Sequence, residues 1–135
     1  MIFFLFLVTI LSSVAQIRKQ LNFNQDWFFK LDSTQSYLND SLFSKWRRLD
    51  LPHDWSIEMN FDNHSPASSG GGYLSGGIGW YKKEFTLPDK DKGQLVFVEF
   101  EGVYEQSEVW INGHSVGKRP NGFIGFSYDL TDYML

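Results

Sequence analysis

The sequence predicts an all-β domain of the sandwich type, and three observations support this prediction. Aromatic side chains make up 18% of the 135 residues, and such side chains favour pleated, half-buried surfaces. Short stretches of strand-like sequence recur about every ten residues, with turn-forming residues between them. The hydrophobic fraction of 42% is enough for the core of one domain at this length, but not of two.

The first half of the chain contains two predicted strands. One begins at Trp27, after the turn-prone residues 24–26. The other covers residues 46–51 and is stopped by Pro52, which cannot continue a ladder of backbone hydrogen bonds. Between them, residues 32–45 are polar and rich in Ser and Asp, which predicts a loop or a short helical turn.

The β pattern is stronger in the second half. Residues 80–87 predict a strand that ends at Pro88, and a charged turn follows at residues 89–93. Residues 95–101 alternate, so that apolar side chains at 96, 98 and 100 share one face. A further short strand is expected at residues 126–130, followed by a single helical turn near residue 131.

A β-hairpin is predicted around Asn112-Gly113. Both residues of a tight hairpin turn need a positive φ angle, which Asn and Gly adopt at low cost. Residues 108–111 form the strand before the turn, and residues 114–117 begin the return strand.

Residues 56–79 form the longest irregular stretch, and its second half is rich in glycine. Such a stretch cannot hold a helix, and long loops inside compact domains are often functional. A disordered linker is the alternative interpretation. The apolar residues Tyr73, Leu74 and Ile78 within the stretch favour an ordered loop.

Charge and composition exclude several function classes. The net charge is −4 with no basic stripe, so nucleic acid is not expected as a partner. The absence of Cys excludes disulfides and thiolate metal sites, and the three His residues lie on separate loops without ligand spacing. Glu99 and Glu101 share a strand face, which indicates a solvated or inter-domain face rather than a catalytic pair. We therefore predict no metal, cofactor or catalytic residue in this chain.

Residues 1–15 are predicted to be a signal peptide. An apolar run at residues 2–10 is followed by small and polar residues that end in Ser13-Val14-Ala15, which matches a cleavage site. No Lys or Arg precedes the run, so an uncleaved anchor or a different start codon is the alternative. Cleavage after Ala15 would make residues 16–135 an exported domain, periplasmic or secreted, with no membrane attachment.

Three motifs together resemble glycoside hydrolase family 2, which contains beta-galactosidases, beta-mannosidases and beta-glucuronidases. The first is LPHDW at residues 51–55, the second is GGIGWYKKEF at residues 76–85, and the third extends from FEGVY at residues 100–104 to FSYDLT at residues 126–131. Their order and spacing resemble the N-terminal domain of that family over residues 18–135.

The resemblance implies a jelly-roll β-sandwich, similar to galactose-binding domains and known as the sugar-binding domain. In this family it precedes an immunoglobulin-like domain and a TIM barrel, and the two reactive glutamates lie in the barrel. On this basis we interpret residues 16–135 as an incomplete, C-terminally truncated domain of an exported retaining glycosidase. Its expected partners are a terminal β-galactoside or related glycan and its own downstream domains.

The resemblance also implies three candidate substrate-binding residues. Asn121 occupies the position where beta-galactosidases have an Asp that contacts the sugar, and it could instead be part of a Pro-Asn-Gly turn. Tyr73 lies in the glycine-rich loop, where it could stack on a sugar or hydrogen-bond to it. Asp54 in the LPHDW motif is the third candidate, and its alternative role is to order the adjacent loop. A stand-alone carbohydrate-binding module is the competing function, and beta-glucuronidase and beta-mannosidase are alternative parent activities.

Overall fold

The computed structural model describes residues 18–31 and 46–134. Within these ranges all regular structure is β-strand or single turns of 3₁₀ helix, which confirms the predicted all-β class. The strands are β1 (Trp27–Leu31), β2 (Arg47–Leu49), β3 (Gly79–Lys82), β4 (Phe97–Phe100), β5 (Ser107–Ile111), β6 (His114–Arg119) and β7 (Phe126–Asp129). The 3₁₀ turns are Ser56–Glu58, Ser69–Gly71, Asp89–Asp91 and Thr131–Tyr133.

The first sheet is antiparallel, with β1 in the centre between β2 and β3. Phe29 is paired with Arg47 on one side and with Tyr81 on the other, so these three side chains form a row on one face. Trp80 lies on the opposite face, where its ring stacks on Trp110 of β5 at 5.5 Å. This contact connects the first sheet to the hairpin of the second half.

The predicted hairpin is present as β5 and β6. Asn112 and Gly113 have φ angles of 49° and 82°, as a two-residue turn requires. The pairing shifts between Val109 and Trp110, where a bulge interrupts the ladder. Residues 114–117 begin the return strand as expected, and it continues to Arg119.

Strands β4 and β7 form a third antiparallel pair that packs on β6. Phe100 stacks on Phe126 across the pair at 5.0 Å, and the Arg119 guanidinium of β6 lies 5.4 Å from the Phe126 ring. The Tyr128 ring packs against Gly117 so closely that a Cβ there would lie 2.3 Å from it. The contacts between β6 and β7 join the hairpin to this pair, and the alternation predicted for residues 95–101 is confirmed by their burial.

Several strands are shorter than predicted: β2 covers 47–49 of the predicted 46–51, β4 covers 97–100 of 95–101, and β3 differs most. The structure ends β3 at Lys82, whereas the sequence pattern continues to residue 87. Beyond β3 the burial of residues 83–87 still alternates, and Phe85 packs edge-to-face on Phe23 at 5.0 Å. The segment is therefore extended without being part of the ladder, and Phe85 packs on a loop residue rather than on a neighbouring strand.

The core of the described part is small. Only Phe29, Trp46, Phe126 and Leu130 are buried hydrophobic residues in these ranges, and none of the side chains there is completely enclosed. Many large apolar side chains remain exposed, among them Phe61, Tyr104 and Phe123. Such extensive exposure is unusual for a domain that packs only on itself.

Two predictions concern residues outside the described ranges. The signal peptide at residues 1–15 and the loop or helical turn at residues 32–45 both fall there and stay predictions. In the described ranges, no helix has the length and apolar character needed to cross a bilayer.

Candidate functional site

A polar network covers the row formed by Arg47, Phe29 and Tyr81. His53, from the LPHDW motif, packs edge-to-face on the Phe29 ring with the ring centroids 4.9 Å apart. Its Nε2 atom is 2.7 Å from an Arg47 nitrogen, and its Nδ1 atom is 2.7 Å from the Tyr81 hydroxyl. One imidazole therefore connects β2 with β3 across the strand between them.

The partners of His53 determine where its proton resides. A guanidinium can only donate hydrogen bonds, so the shorter contact of Nε2, with Arg47, favours a tautomer in which Nε2 accepts and carries no proton. In that tautomer the proton is on Nδ1, which donates to the Tyr81 oxygen. Glu58 Oε1 is also 3.2 Å from Nε2, and in this tautomer it is held there by the guanidinium that both groups share.

Glu58 and Tyr81 complete the network, and each has a defined protonation state at neutral pH. The hydrogen bond from Arg47 lowers the pKa of Glu58, whose carboxylate is 2.8 Å from the guanidinium. Burial, and to a lesser extent the charge of Asp54, raises the pKa of Tyr81 to about 12. Glu58 is thus an anion and Tyr81 a neutral phenol at neutral pH, so the network has the character of a structural connection and not of a nucleophile with its base.

Asp54 and Trp55 organise the segment next to this network. Asp54 Oδ1 accepts hydrogen bonds from the backbone N–H of Ser56 at 2.9 Å and from its hydroxyl at 2.6 Å. This is the loop-ordering arrangement expected of an Asp before a helical turn. Trp55 packs on Gly79, where a Cβ would lie 2.8 Å from the indole nitrogen and 3.1 Å from the Phe29 ring. Only a residue without a side chain fits between the two rings.

The glycine-rich loop is folded back on itself by hydrogen bonds. Ser65 is buried, and its hydroxyl donates to the Leu74 carbonyl at 2.6 Å. Asp62 donates its backbone N–H to the Tyr73 carbonyl at 3.0 Å, and Tyr73 donates its own to Ser68 at 2.8 Å. These contacts favour the ordered-loop interpretation over a disordered linker. Tyr73 is 41% exposed, so its ring is available at the surface.

Asn121 lies in a different loop, between β6 and β7. It is exposed, and the residue before it accepts a hydrogen bond from Gln106 through its carbonyl at 3.4 Å. The following residue, Gly122, lies against the backbone of Tyr104, where a Cβ would be 3.0 Å from the Tyr104 Cα. The Asn121 loop is therefore joined to the loop at residues 101–106.

The three predicted site residues fall into two groups. Asp54 and Tyr73 belong to segments that meet at the first sheet, because Trp55 packs on Gly77 and Gly79 at the end of the glycine-rich loop. Asn121 belongs to the loops next to β5, β6 and β7. Nothing in the geometry tests whether any of the three binds a sugar, and all three stay predictions.

Sequence reasoning missed the partners of His53. Arg47 and Tyr81 lie in strands far apart along the chain, and only the register of the first sheet places them on either side of Phe29. Arg47 and Leu49 are two residues apart in a short strand, so the sequence places their side chains on one face of the sheet. The spacing does not identify which strand lies next to it. Sequence reasoning also missed the exposed ring pair of Tyr104 and Phe123, whose centroids are 5.9 Å apart.

An open depression of about 310 Å³ lies beside the network and is lined by Phe29, Lys30, Leu31, Arg47, Trp55, Glu58 and Met59. In residues 18–31 and 46–134, no three His, Asp or Glu side chains come together in a way that could hold a metal ion.

Comparison with known proteins identifies relatives of this chain. The family model described as glycosyl hydrolases family 2, sugar binding domain, matches residues 19–135. Beta-galactosidase BoGH2A of Bacteroides ovatus is 49% identical over 124 residues, which cover 91% of this chain and 15% of that protein. A putative beta-glucuronidase of Formosa agariphila is 42% identical over 118 residues, covering 87% of this chain and 11% of that protein.

Solved structures agree with these similarities. A beta-glycosidase from Bacteroides vulgatus superimposes with a TM-score of 0.79 at 48% identity, over 85% of this chain and 15% of that one. A beta-glucuronidase from Bacteroides uniformis, at 24% identity, has a TM-score of 0.71 over 85% of this chain and 13% of its own, and shares the fold. The chain thus spans 11–15% of the length of these relatives.

Proposed function

Because the chain belongs to glycosyl hydrolase family 2 and carries its N-terminal sugar binding domain, we propose that it is part of an exported glycosidase of the beta-galactosidase type. The observation that carries this proposal is the 49% identity to a beta-galactosidase, which extends over nearly the whole chain. The parent enzyme would release terminal β-linked galactose with retention of configuration. Its two carboxylates would lie in a TIM barrel that follows an immunoglobulin-like domain.

The contribution of this chain would be to bind substrate and not to react with it. We assign direct sugar contacts to Asn121 and Tyr73, and a loop-ordering or contact role to Asp54. An Asn amide can both donate to and accept from sugar hydroxyls, without the charge that an Asp would bring. No cofactor or metal is assigned to these residues.

The small core supports an enzyme part rather than a stand-alone module. A free carbohydrate-binding module must bury its own hydrophobic side chains, whereas Ile57, Phe61 and Leu95 of this chain are more than half exposed. A domain that packs on neighbouring parts of a larger enzyme explains this exposure. Beta-glucuronidase is the second candidate activity, since the similarity to a putative beta-glucuronidase is nearly as high.

Activity of the full-length protein tests the proposal. We expect turnover of a chromogenic β-galactoside, and much slower turnover of the matching β-glucuronide and β-mannoside. Preference for the glucuronide would transfer the assignment to the second candidate, and no turnover of the three would refute the proposal. As the control, residues 16–135 alone should release no product.

Substitution of Asn121 tests the assigned contact. Asn121→Ala should raise KM about three- to tenfold, because a hydrogen bond between neutral groups contributes about 0.5–1.5 kcal/mol. Asn121→Asp introduces the residue type found in beta-galactosidases and should retain binding. An unchanged KM in the Ala variant would return Asn121 to a turn-forming role.

Export is tested separately by cell fractionation, in which the protein should appear outside the cytoplasm with an N-terminus near residue 16.

A further inference from the structure

Tyr104 and Phe123 form an exposed aromatic pair next to Asn121. Tyr104 is 72% exposed and Phe123 is 87% exposed, and their rings meet edge-to-face at an interplanar angle of 79°. Large apolar side chains in contact with water on this scale usually mark a binding surface. The edge-to-face arrangement occupies one ring face at most, and the high exposure leaves the outer faces open.

The backbone holds these rings in place. Glu105 and Gln106 have φ angles of 35° and 50°, which are unfavourable for residues with a Cβ and recur at functional sites. The backbone N–H of Gln106 donates to the Pro120 carbonyl at 3.4 Å and joins the two loops. At Gly122, an added Cβ would lie 2.9 Å from the Glu105 nitrogen, so the loops approach as closely as glycine allows. A fixed support lowers the entropy cost of binding a ligand.

The surroundings of the pair match the chemistry of a sugar ring. A pyranose has an apolar face of C–H groups that packs on an aromatic face, and hydroxyls at its edge that need hydrogen-bond partners. Asn121 supplies an amide and Glu105 a carboxylate at the border of the pair, and both are exposed. A stable protein partner would instead bury about 800 Å² of this chain's surface, which is more than two rings provide.

We propose that Tyr104 and Phe123 stack on the sugar next to the terminal one, on the leaving-group side of the substrate. This inference rests on the proposed function, in which Asn121 contacts the terminal sugar. An enzyme that removes terminal sugars encloses the terminal ring and leaves the rest of the glycan outside. Tyr104 and Phe123 lie on the two joined loops that carry Asn121, so they are placed for the ring bonded to the one that Asn121 contacts. The pair would then determine which glycans are preferred, without acting on the bond that breaks.

The test compares two substrates in the full-length protein. One is the methyl glycoside of the terminal sugar that the wild type cleaves, and the other is a β-linked disaccharide with the same terminal sugar. Phe123→Ala and Tyr104→Ala should each raise KM for the disaccharide roughly tenfold, since aromatic anchors of an interface typically contribute more than 1 kcal/mol. KM for the methyl glycoside should change less than twofold, because that substrate has no second ring.

Phe97→Ala is the matched control. Phe97 is 53% exposed on β4, away from the two loops, and its loss should leave the KM of both substrates unchanged. Equal increases for both substrates, or no increase for the disaccharide, would refute the assignment. A lower melting temperature with unchanged KM would show that the rings pack on another part of the protein, which also refutes it. A wild type that cleaves neither glycoside refutes the proposed function itself, so the two failures are distinguishable.

Discussion

The LPHDW region and the Asn121 loop use their conspicuous side chains in opposite ways. In the LPHDW region, His53 and Asp54 make hydrogen bonds within the domain, and Trp55 fills the space above Gly79. In the Asn121 loop, Phe123 and Asn121 extend into solvent. The first region is held by internal contacts, whereas the second is a fixed backbone with free side chains.

This difference indicates where to look for ligand contacts. A motif rich in His, Asp and Trp suggests chemistry, yet here each of the three already has a partner inside the domain. Within the described ranges, the exposed aromatic residues Tyr104 and Phe123 have no hydrogen-bonding side-chain partner and leave ring faces open for a ligand. The comparison predicts that substitutions in the LPHDW region reduce stability, and that substitutions in the Asn121 loop reduce binding.

The largest stability effect is expected for Gly79→Ala. The new methyl group would lie 2.8 Å from the Trp55 indole nitrogen and 3.1 Å from the Phe29 ring. Overpacking of this kind destabilises by about 1–3 kcal/mol, measurable as a lower midpoint of urea or thermal unfolding. Gly76→Ala is the control, since a Cβ at Gly76 meets nothing within 4 Å. Equal midpoints for the two variants would mean that Trp55 does not pack on the sheet as described.

A smaller loss is expected for Tyr81→Phe. Removal of the hydroxyl leaves the Nδ1–H of His53 without its acceptor, and the His53 side chain is only 11% exposed. An unsatisfied buried donor costs about 1–2 kcal/mol. Tyr104→Phe removes the same hydroxyl from an exposed ring and should leave the unfolding midpoint unchanged. If both variants unfold like the wild type, the His53 network does not contribute to stability.

The pH dependence of stability should change in Asp129→Asn. Hydrogen bonds from the Thr131 hydroxyl and then its backbone N–H lower the pKa of Asp129 from its usual value of 3.8. A carboxyl whose pKa is lower in the folded state stabilises the fold above the unfolded-state pKa, and this contribution disappears as the pH falls through the folded-state pKa. The free energy of unfolding of the wild type should therefore exceed that of the variant at pH 7, and the difference should shrink below about pH 4. A difference that stays constant down to pH 2 would contradict the role of this carboxylate.

The smallest stability effect is expected for Phe123→Ala. With 87% of the side chain exposed, the substitution removes little buried surface and should change the free energy of unfolding by less than about 0.5 kcal/mol. The same variant is expected to bind the disaccharide more weakly. A large loss of stability would place Phe123 in the same category as the LPHDW region and remove the contrast between the two.

The sequence was most informative where the chain interacts with itself over short distances. The Asn112-Gly113 hairpin and the alternation at residues 95–101 were predicted correctly, because turn geometry and strand pleating depend on neighbouring residues. The predicted strand at residues 80–87 was too long, because the pattern shows extended backbone but not whether a partner strand is present. The resemblance to family 2 was confirmed, since its motifs extend over most of the chain.

The candidate site was predicted only in part. Asp54 and Tyr73 were selected by motif and loop position, and Trp55 brings their segments together at Gly77 and Gly79. The contacts of His53 with Arg47 and Tyr81 could not be inferred from the sequence. They depend on how β2 and β3 are each aligned with β1.

By itself, the amino-acid sequence determined the all-β class, the hairpin and the family, because these depend on local patterns and on motifs spread along the chain. Only the tertiary structure decided that His53 is satisfied internally and that Tyr104 and Phe123 meet at the surface. The physical reason is that exposure and hydrogen-bond partnership are properties of side chains brought together from distant positions. Such neighbours exist only after the strands have paired and the loops have packed.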